Sequence, residues 1–162
     1  MSCDIHEHKI ELMESNASRL GVSIVQTKVQ DATQLPNTWD SYFDRVLVDA
    51  PCSGLGILQK KLDMRWRKQE SILSELPPLQ LEILERAAMT VKVNGYLIYS
   101  TCTLNYKENE EVVETFLQKH NEFTIVCVPQ DFPLTSSNGM ITTNPPKDDM
   151  DGFFMVKMQR LS

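Results

Sequence analysis

The chain has 162 residues, 41% apolar and 23% charged, with 16 Lys and Arg against 22 Asp and Glu for a net charge of −6. At roughly 150 residues per domain it reads as a single domain over 1–162, large enough to hold a core without disulfides or metals. That composition excludes collagen-like and disordered chains, and no apolar run nears the ~20 residues of a membrane span. Nor do the opening residues carry a signal-peptide core. The acidic balance also argues against a dedicated nucleic-acid binder, whose affinity comes largely from phosphate neutralisation, so contact with RNA needs a local patch or another segment.

In chain order, residues 2–5 read as the end of a strand. A helix over His8–Leu20 is predicted from the stripe Ile10, Met13, Ala17 and Leu20, with Gly21 as its stop. Val22–Val29 is β-branched and reads as a strand closed by Asp31-Ala32-Thr33. Phe43–Asp49 is a short apolar run closing on an acid, the pattern of a buried parallel strand. Ala50–Gly56 is a turn-rich loop. Pro77-Pro78 opens a helix with apolar positions Leu76, Leu79, Ile83, Leu84, Ala87, Ala88 and Val91, and Asn94-Gly95 stops it. Tyr96–Tyr99 is a strand ending in Ser100-Thr101-Cys102-Thr103. Asn105 and Glu108 have capping-box spacing for the next helix, which carries Val112, Val113, Phe116, Leu117 and His120 on one side. Phe123–Val128 and Gly152–Met158 are two late strands around a long loop rich in Pro, Ser, Thr and Asn.

Alternating strands and helices predict an α/β fold with a mostly parallel sheet and a C-terminal antiparallel hairpin at its edge. Ligands in such sheets bind outside the carboxyl ends of the strands. That rule selects Asp4, Asp31, Asp49–Cys52, Ser100–Thr103 and the long loop. Asp49-Ala50-Pro51-Cys52-Ser53-Gly54 can hold a carboxylate and a thiol rigidly, because Pro51 fixes the backbone and Gly54 permits a tight return. Taken alone, each cysteine loop is better explained by a buried core thiol. Together, adjacent strand ends bring Cys52, Cys102 and Asp49 to one rim. A thiolate there can attack an electrophilic ring carbon while the acid holds a proton for a ring nitrogen.

Asp4 and Asp31 end other strands, where acids commonly grip ribose hydroxyls, although a solvated strand end explains either equally well. The four cysteines form no C-x-x-C pair, so structural zinc is not expected, and His6 and His8 read as a solvated first turn rather than a metal site. Without an export signal, free thiols in a reducing cytoplasm are the default. The stretch from Lys60 to Lys68 is a local basic patch with Trp66 at its middle, suited to phosphate contact and base stacking, or else to an amphipathic surface.

These residues resemble the RNA cytosine-5 methyltransferases of the NOL1/NOP2/Sun type, and within it the bacterial small-subunit ribosomal RNA group. The likeness rests on Asp49-Ala50-Pro51-Cys52-Ser53-Gly54 with Ser100-Thr101-Cys102-Thr103, and runs through Asp31-Ala32-Thr33, Arg65-Trp66-Arg67 and Asp151–Lys157. It implies a Rossmann-like sheet that uses S-adenosylmethionine to methylate carbon 5 of cytosine in RNA. By resemblance Cys102 is the nucleophile that adds to ring carbon 6, and Cys52 assists release. Asp49 lies between cofactor and base and contacts the cytosine. Asp4 and Asp31 contact the ribose and adenine sides of the cofactor. Arg65, Arg67 and Lys68 are the residues expected to hold RNA.

The family has a strand and a Gly-rich loop before the position of Asp4, and an N-terminal RNA-binding portion. No G-x-G-x-x-G occurs in this sequence. The expectation is therefore the C-terminal part of a catalytic domain, truncated before its first strand and inactive alone. The sheet edge so left is expected to close up or to pair with a second copy. Two other functions compete: a non-catalytic fragment kept as an RNA- or protein-binding module, and a thiol redox module using Cys52 and Cys102. The second is disfavoured by the cysteine spacing.

Overall fold

The computed structural model describes residues 1–60, 72–129, 131–134 and 136–162. Where a single domain was expected, the chain divides into two compact units, Met1–Thr38 and Trp39–Ser162.

The first unit is one strand–helix–strand motif. Strand β1 (Ser2–Asp4) leads into helix α1 (Glu7–Arg19) and then β2 (Thr27–Val29). The strands pair in parallel from Ser2↔Thr27 to Asp4↔Val29, as a helical crossover requires. Ile10 is buried, with Met13 and Ala17 half-buried on the same face, so these three members of the predicted stripe form the inner face of α1, while the fourth, Leu20, follows the helix and is exposed. Gly21 ends the helix in the left-handed region, φ +68°, which glycine enters without steric cost. The strand expected over Val22–Val29 is shorter. Only Thr27–Val29 finds a partner, because β1 offers three residues to pair with, and Ile24 is 88% exposed. β-Branched composition makes no strand where no ladder is available.

The second unit holds β3 (Phe43–Asp49), α2 (Ile72–Met89), β4 (Val91–Thr101), α3 (Glu110–Lys119), β5 (Phe123–Ile125), β6 (Ser136–Ser137), β7 (Met140–Thr142), α4 (Pro145–Asp148) and β8 (Phe154–Arg160). They form a six-stranded sheet in the order β3-β4-β8-β7-β6, with β5 also on β8. β3 and β4 are parallel, while β8 is antiparallel to β4, β5 and β7. The fold is thus the expected α/β class with an antiparallel C-terminal strand. This sheet is mixed rather than mostly parallel, because β8 inserts antiparallel between β4 and β7, and the long loop adds the small antiparallel β6–β7 hairpin.

Three expectations are corrected. Pro77 and Pro78 lie inside α2 rather than opening it. Each removes one main-chain donor, and the helix extends upstream of both all the same. Asn94-Gly95 does not stop a helix. It sits within β4, where Asn94 has φ +66° and the register with β3 shifts between Phe43↔Val91 and Arg45↔Tyr96. This is a bulge, for which a left-handed residue is the usual device. Finally, β3 is not buried on all sides. It ends its sheet, and Val48 is 7% exposed while Leu47 is 65% exposed.

The core joins Leu97 and Tyr99 of β4 and Phe154, Val156 and Met158 of β8 to Leu84 and Ala88 of α2 and to Val113 and Phe116 of α3. Each such large side chain contributes roughly 1.5–3 kcal/mol by leaving water. The apolar spacing read from the two helices thus fixes them over β4. The carboxyl ends of β3 and β4 carry the cysteine loops.

Candidate active site

β3 and β4 run in register to Asp49↔Ser100, and Ala50 N–H extends the ladder by one bond to the Ser100 carbonyl, 2.9 Å. Both cysteine loops therefore leave the sheet at one edge. Pro51, with no N–H to continue the ladder, turns the first loop away. Gly54, at φ +64°, turns it back. The loops are strapped together by Gly56 N–H to the Cys102 carbonyl, 3.0 Å, and by Ser53 Oγ and Thr103 Oγ1, 2.8 Å apart. Gly56 must be glycine, since a Cβ there would overlap the Gly152 carbonyl oxygen. Gly152 N–H bonds back to the Gly56 carbonyl at 2.9 Å.

This geometry brings the two expected thiols together. Cys52 and Cys102 are free cysteines, both half-buried, with Sγ atoms 2.9 Å apart. The Cys102 N–H also donates to Cys52 Sγ, 3.2 Å. The hydrogen bond from Cys102 lowers the Cys52 thiol to about 7, against the opposing effect of burial, with help from the backbone N–H groups of Cys102 and Gly54. The same bond pushes Cys102 well above the ordinary thiol range, and burial and the negative charges of Cys52 and Asp49 add to it. The contact therefore favours the thiolate on Cys52 and the thiol on Cys102. Asp49 is exposed at the rim, where Ser100 Oγ donates to its Oδ1 at 3.3 Å.

A buried polar cluster holds the loops from behind. Glu108 and Gln80 are both 0% exposed. Glu108 Oε2 accepts from Ser53 N–H at 2.7 Å and from Gln80 Nε2 at 3.1 Å. Its Oε1 accepts from Asn105 Nδ2 at 3.0 Å. Gln80 Nε2 also donates to the Pro51 carbonyl at 2.8 Å. Buried Tyr99 donates its hydroxyl to the Glu108 carbonyl at 2.7 Å. The Gln80 Oε1 atom has no partner, a cost of about 1–3 kcal/mol for a buried acceptor.

The sequence reading missed this cluster. Asn105 and Glu108 do interact, but across a single 3-10 turn, Tyr106–Glu108, that precedes α3. Gln80 is hidden by the apolar stripe around it; the signal in the sequence is its place four residues before Leu84, which sets it on the same helix face.

In the first unit, Asp4 and Asp31 stand at the carboxyl end of the parallel β1–β2 pair. Asp4 Oδ1 accepts from His6 N–H at 2.9 Å. Asp31 Oδ1 accepts from Thr33 N–H at 2.8 Å and Thr33 Oγ1 at 2.7 Å. Those bonds hold its carboxyl below the usual range. Arg65, Arg67 and Lys68 lie outside the described residues. Among the described residues no group of three or more His, Cys, Asp or Glu could hold a metal ion. No described helix is long and apolar enough to cross a membrane.

The chain is similar to known proteins over nearly its whole length. The family model described as "16S rRNA methyltransferase RsmB/F" matches residues 1–159. The chain is 37% identical over 165 residues to the "Probable ribosomal RNA small subunit methyltransferase B" of Bacillus subtilis, a match covering 98% of this chain and 37% of that protein. It thus spans little more than a third of that relative's length. The crystal structure of PH0851 superposes with a TM-score of 0.91 at 32% identity, covering 98% of this chain and 36% of that one. The crystal structure of NSun6 from Pyrococcus horikoshii with SFG gives 0.86 at 28%, covering 99% and 41%. With its Rossmann-like α/β units and paired cysteine loops, the chain belongs to the RsmB/F family of 16S rRNA methyltransferases.

Proposed function

We propose that this chain carries the cysteine-bearing part of an RNA cytosine-5 methyltransferase that modifies ribosomal RNA. The observation that carries this reading is the pair of thiols, 2.9 Å apart, on loops that leave neighbouring parallel strands. The name of the Bacillus subtilis relative supplies ribosomal RNA as the substrate class.

The chemistry follows from the pair. Carbon 5 of cytosine is a poor nucleophile until the neighbouring double bond is saturated. Cys52, the more acidic thiol, accepts the Cys102 proton across their hydrogen bond. The Cys102 thiolate then adds to ring carbon 6, and the displaced electron pair makes carbon 5 an enamine carbon and the ring nitrogen basic. Asp49, exposed at the rim, contacts the cytosine and supports protonation at that nitrogen. Bound S-adenosylmethionine supplies an electrophilic methyl group. When the carbon 5 proton leaves to solvent, the carbon–sulfur bond breaks, Cys52 returns the proton to the departing Cys102 sulfur, and the ring nitrogen gives back the proton it took up.

Asp4 and Asp31 fit the nucleoside part of that cofactor. Both close parallel strands, and Asp31 Oδ2 is left without a hydrogen bond among the described residues, open to a hydroxyl or amine donor. Arg65, Arg67 and Lys68 are assigned to RNA phosphates, and the cytoplasm is where ribosomal RNA would be met. The sequence holds no G-x-G-x-x-G, so the 162-residue polypeptide alone should bind S-adenosylmethionine weakly and act poorly.

The test is tritium release from 5-tritiated cytosine in unmethylated ribosomal RNA, by a polypeptide extended to its relatives' length. Release matching methyl incorporation is expected. Methylation without release would place the methyl group elsewhere and overturn the reading.

A further inference from the structure

Glu108 and Gln80 are both fully buried directly behind Cys52. The groups they hold are the main-chain neighbours of that cysteine: the Pro51 carbonyl on one side and the Ser53 N–H on the other. Three N–H donors and no acceptor face the Glu108 carboxyl group, from Ser53, Gln80 and Asn105. Only a side chain that accepts on both oxygens meets that set. Asn105 follows the Cys102 loop, so one carboxylate ties both cysteine loops. Gln80 is oriented by its two acceptors, Pro51 O and Glu108 Oε2, and this leaves its own Oε1 unpaired. A leucine would fill the apolar stripe of α2 without an orphaned oxygen. A buried polar group kept in such a state calls for a specific use.

We propose that Glu108 and Gln80 are positioning residues that clamp the backbone on both sides of Cys52 and so set the contact between the Cys52 and Cys102 sulfurs. They act through Pro51 and Ser53 and touch no reacting atom. The inference rests on the two-cysteine reading for its purpose, but the clamp can be read from the thiols alone, without methyl transfer. The titratable groups that bear on the pair are Asp49 at the end of β3, Tyr99 on β4 and Glu108 itself.

The experiment measures iodoacetamide alkylation of Cys52 and Cys102 against pH in the whole chain, with exposed Cys3 and Cys127 replaced by Ser and the modified site located by peptide mass. Folding is checked by circular dichroism. In the parent, the alkylation midpoint of Cys52 should lie near about 7, the value to which the contact with Cys102 lowers it. Gln80→Met removes both amide donors but keeps the packing and the Glu108 charge. It should raise the midpoint by about one unit and slow alkylation at pH 7 roughly twofold, since a higher-pKa thiol is less ionised though intrinsically more nucleophilic.

Glu108→Gln separates clamp from charge. The Glu108 charge by itself opposes the Cys52 thiolate, so a purely electrostatic role predicts a lower midpoint and positioning predicts a higher one. A folded Gln80→Met protein with an unchanged midpoint overturns the proposal, as does a lower midpoint in folded Glu108→Gln. If Glu108→Gln does not fold, Gln80→Met decides alone. If neither folds, the cluster is structural and the proposal falls. Failure of tritium release in the extended enzyme would leave this result standing.

Discussion

One contact gives two like thiols opposite tendencies. The sulfur that accepts the hydrogen bond, Cys52, ionises at about 7, and the sulfur that donates it, Cys102, resists ionisation. The proposed nucleophile is thus the protonated member at rest, and its neighbour is the base that frees it. Cys102→Ala removes both the nucleophile and the donor. Cys52 should then return towards the ordinary thiol range, and its thiolate fraction at pH 7 should fall from roughly half to a few per cent. In an extended active form, Cys102→Ala should give no covalent adduct with RNA. Cys52→Ala should let an adduct accumulate: without the Cys52 contact and charge that hold it protonated, Cys102 falls back towards the ordinary thiol range and still adds through its own thiolate fraction, while the proton donor for the departing sulfur is gone. Denaturing gels of protein with ribosomal RNA read both outcomes. A stable adduct from Cys102→Ala would place the nucleophile on another residue. The cysteines were legible in the sequence because their motifs end apolar strand runs. Glu108 was not, since its spacing from Asn105 matches a local cap equally well, and only the fold shows that its side chain turns inward to Ser53.

The elements that hold these side chains depend on a crossing of two glycines. Gly56 and Gly152 meet backbone to backbone, with the Gly56 Cα 2.8 Å from where a Gly152 Cβ would stand. A methyl group at Gly56 has rigid main chain against it, so neither side can yield cheaply. Gly56→Ala should cost about 3 kcal/mol and lower the melting point by roughly 10 °C. Gly21→Ala is the contrasting case. It meets nothing within 4 Å, and only its left-handed φ is strained, about 1 kcal/mol. Calorimetric melts of both variants check the difference, and equal shifts would remove the crossing as an explanation. Local patterns predicted elements well where burial follows a period, as in α1 and α3. They failed where a residue has two uses. Asn94-Gly95 serves a bulge as readily as a helix end, and Pro77-Pro78 fits a helix start but sits further in. Val22–Gln26 has strand composition without a strand partner.

For the whole molecule, the α/β class was legible because strands and helices alternate along the chain, and that alternation depends on chain order rather than on exact element ends. What the order did not reveal was the exposure of β3. Among the described residues its seven residues pair only on the β4 side and end the sheet. Parallel strands are ordinarily covered on both faces, and an open strand edge displays unpaired N–H and C=O groups that invite another strand. Leu47, 65% exposed on this strand, adds an apolar side chain to that edge. The 162-residue polypeptide should therefore self-associate through β3 as its concentration rises from about 10 to about 500 μM, in the range where exposed edges associate. Leu47→Lys should weaken that association, because a charge on an edge strand opposes pairing. It should leave the melting point nearly unchanged, since an exposed side chain contributes within about 0.5 kcal/mol to folding. Sedimentation velocity across the concentration series reads the first effect and calorimetry the second. A parent polypeptide that stays monomeric throughout the range, or a Leu47→Lys variant that associates as strongly as the parent, would show that β3 is not the associating edge.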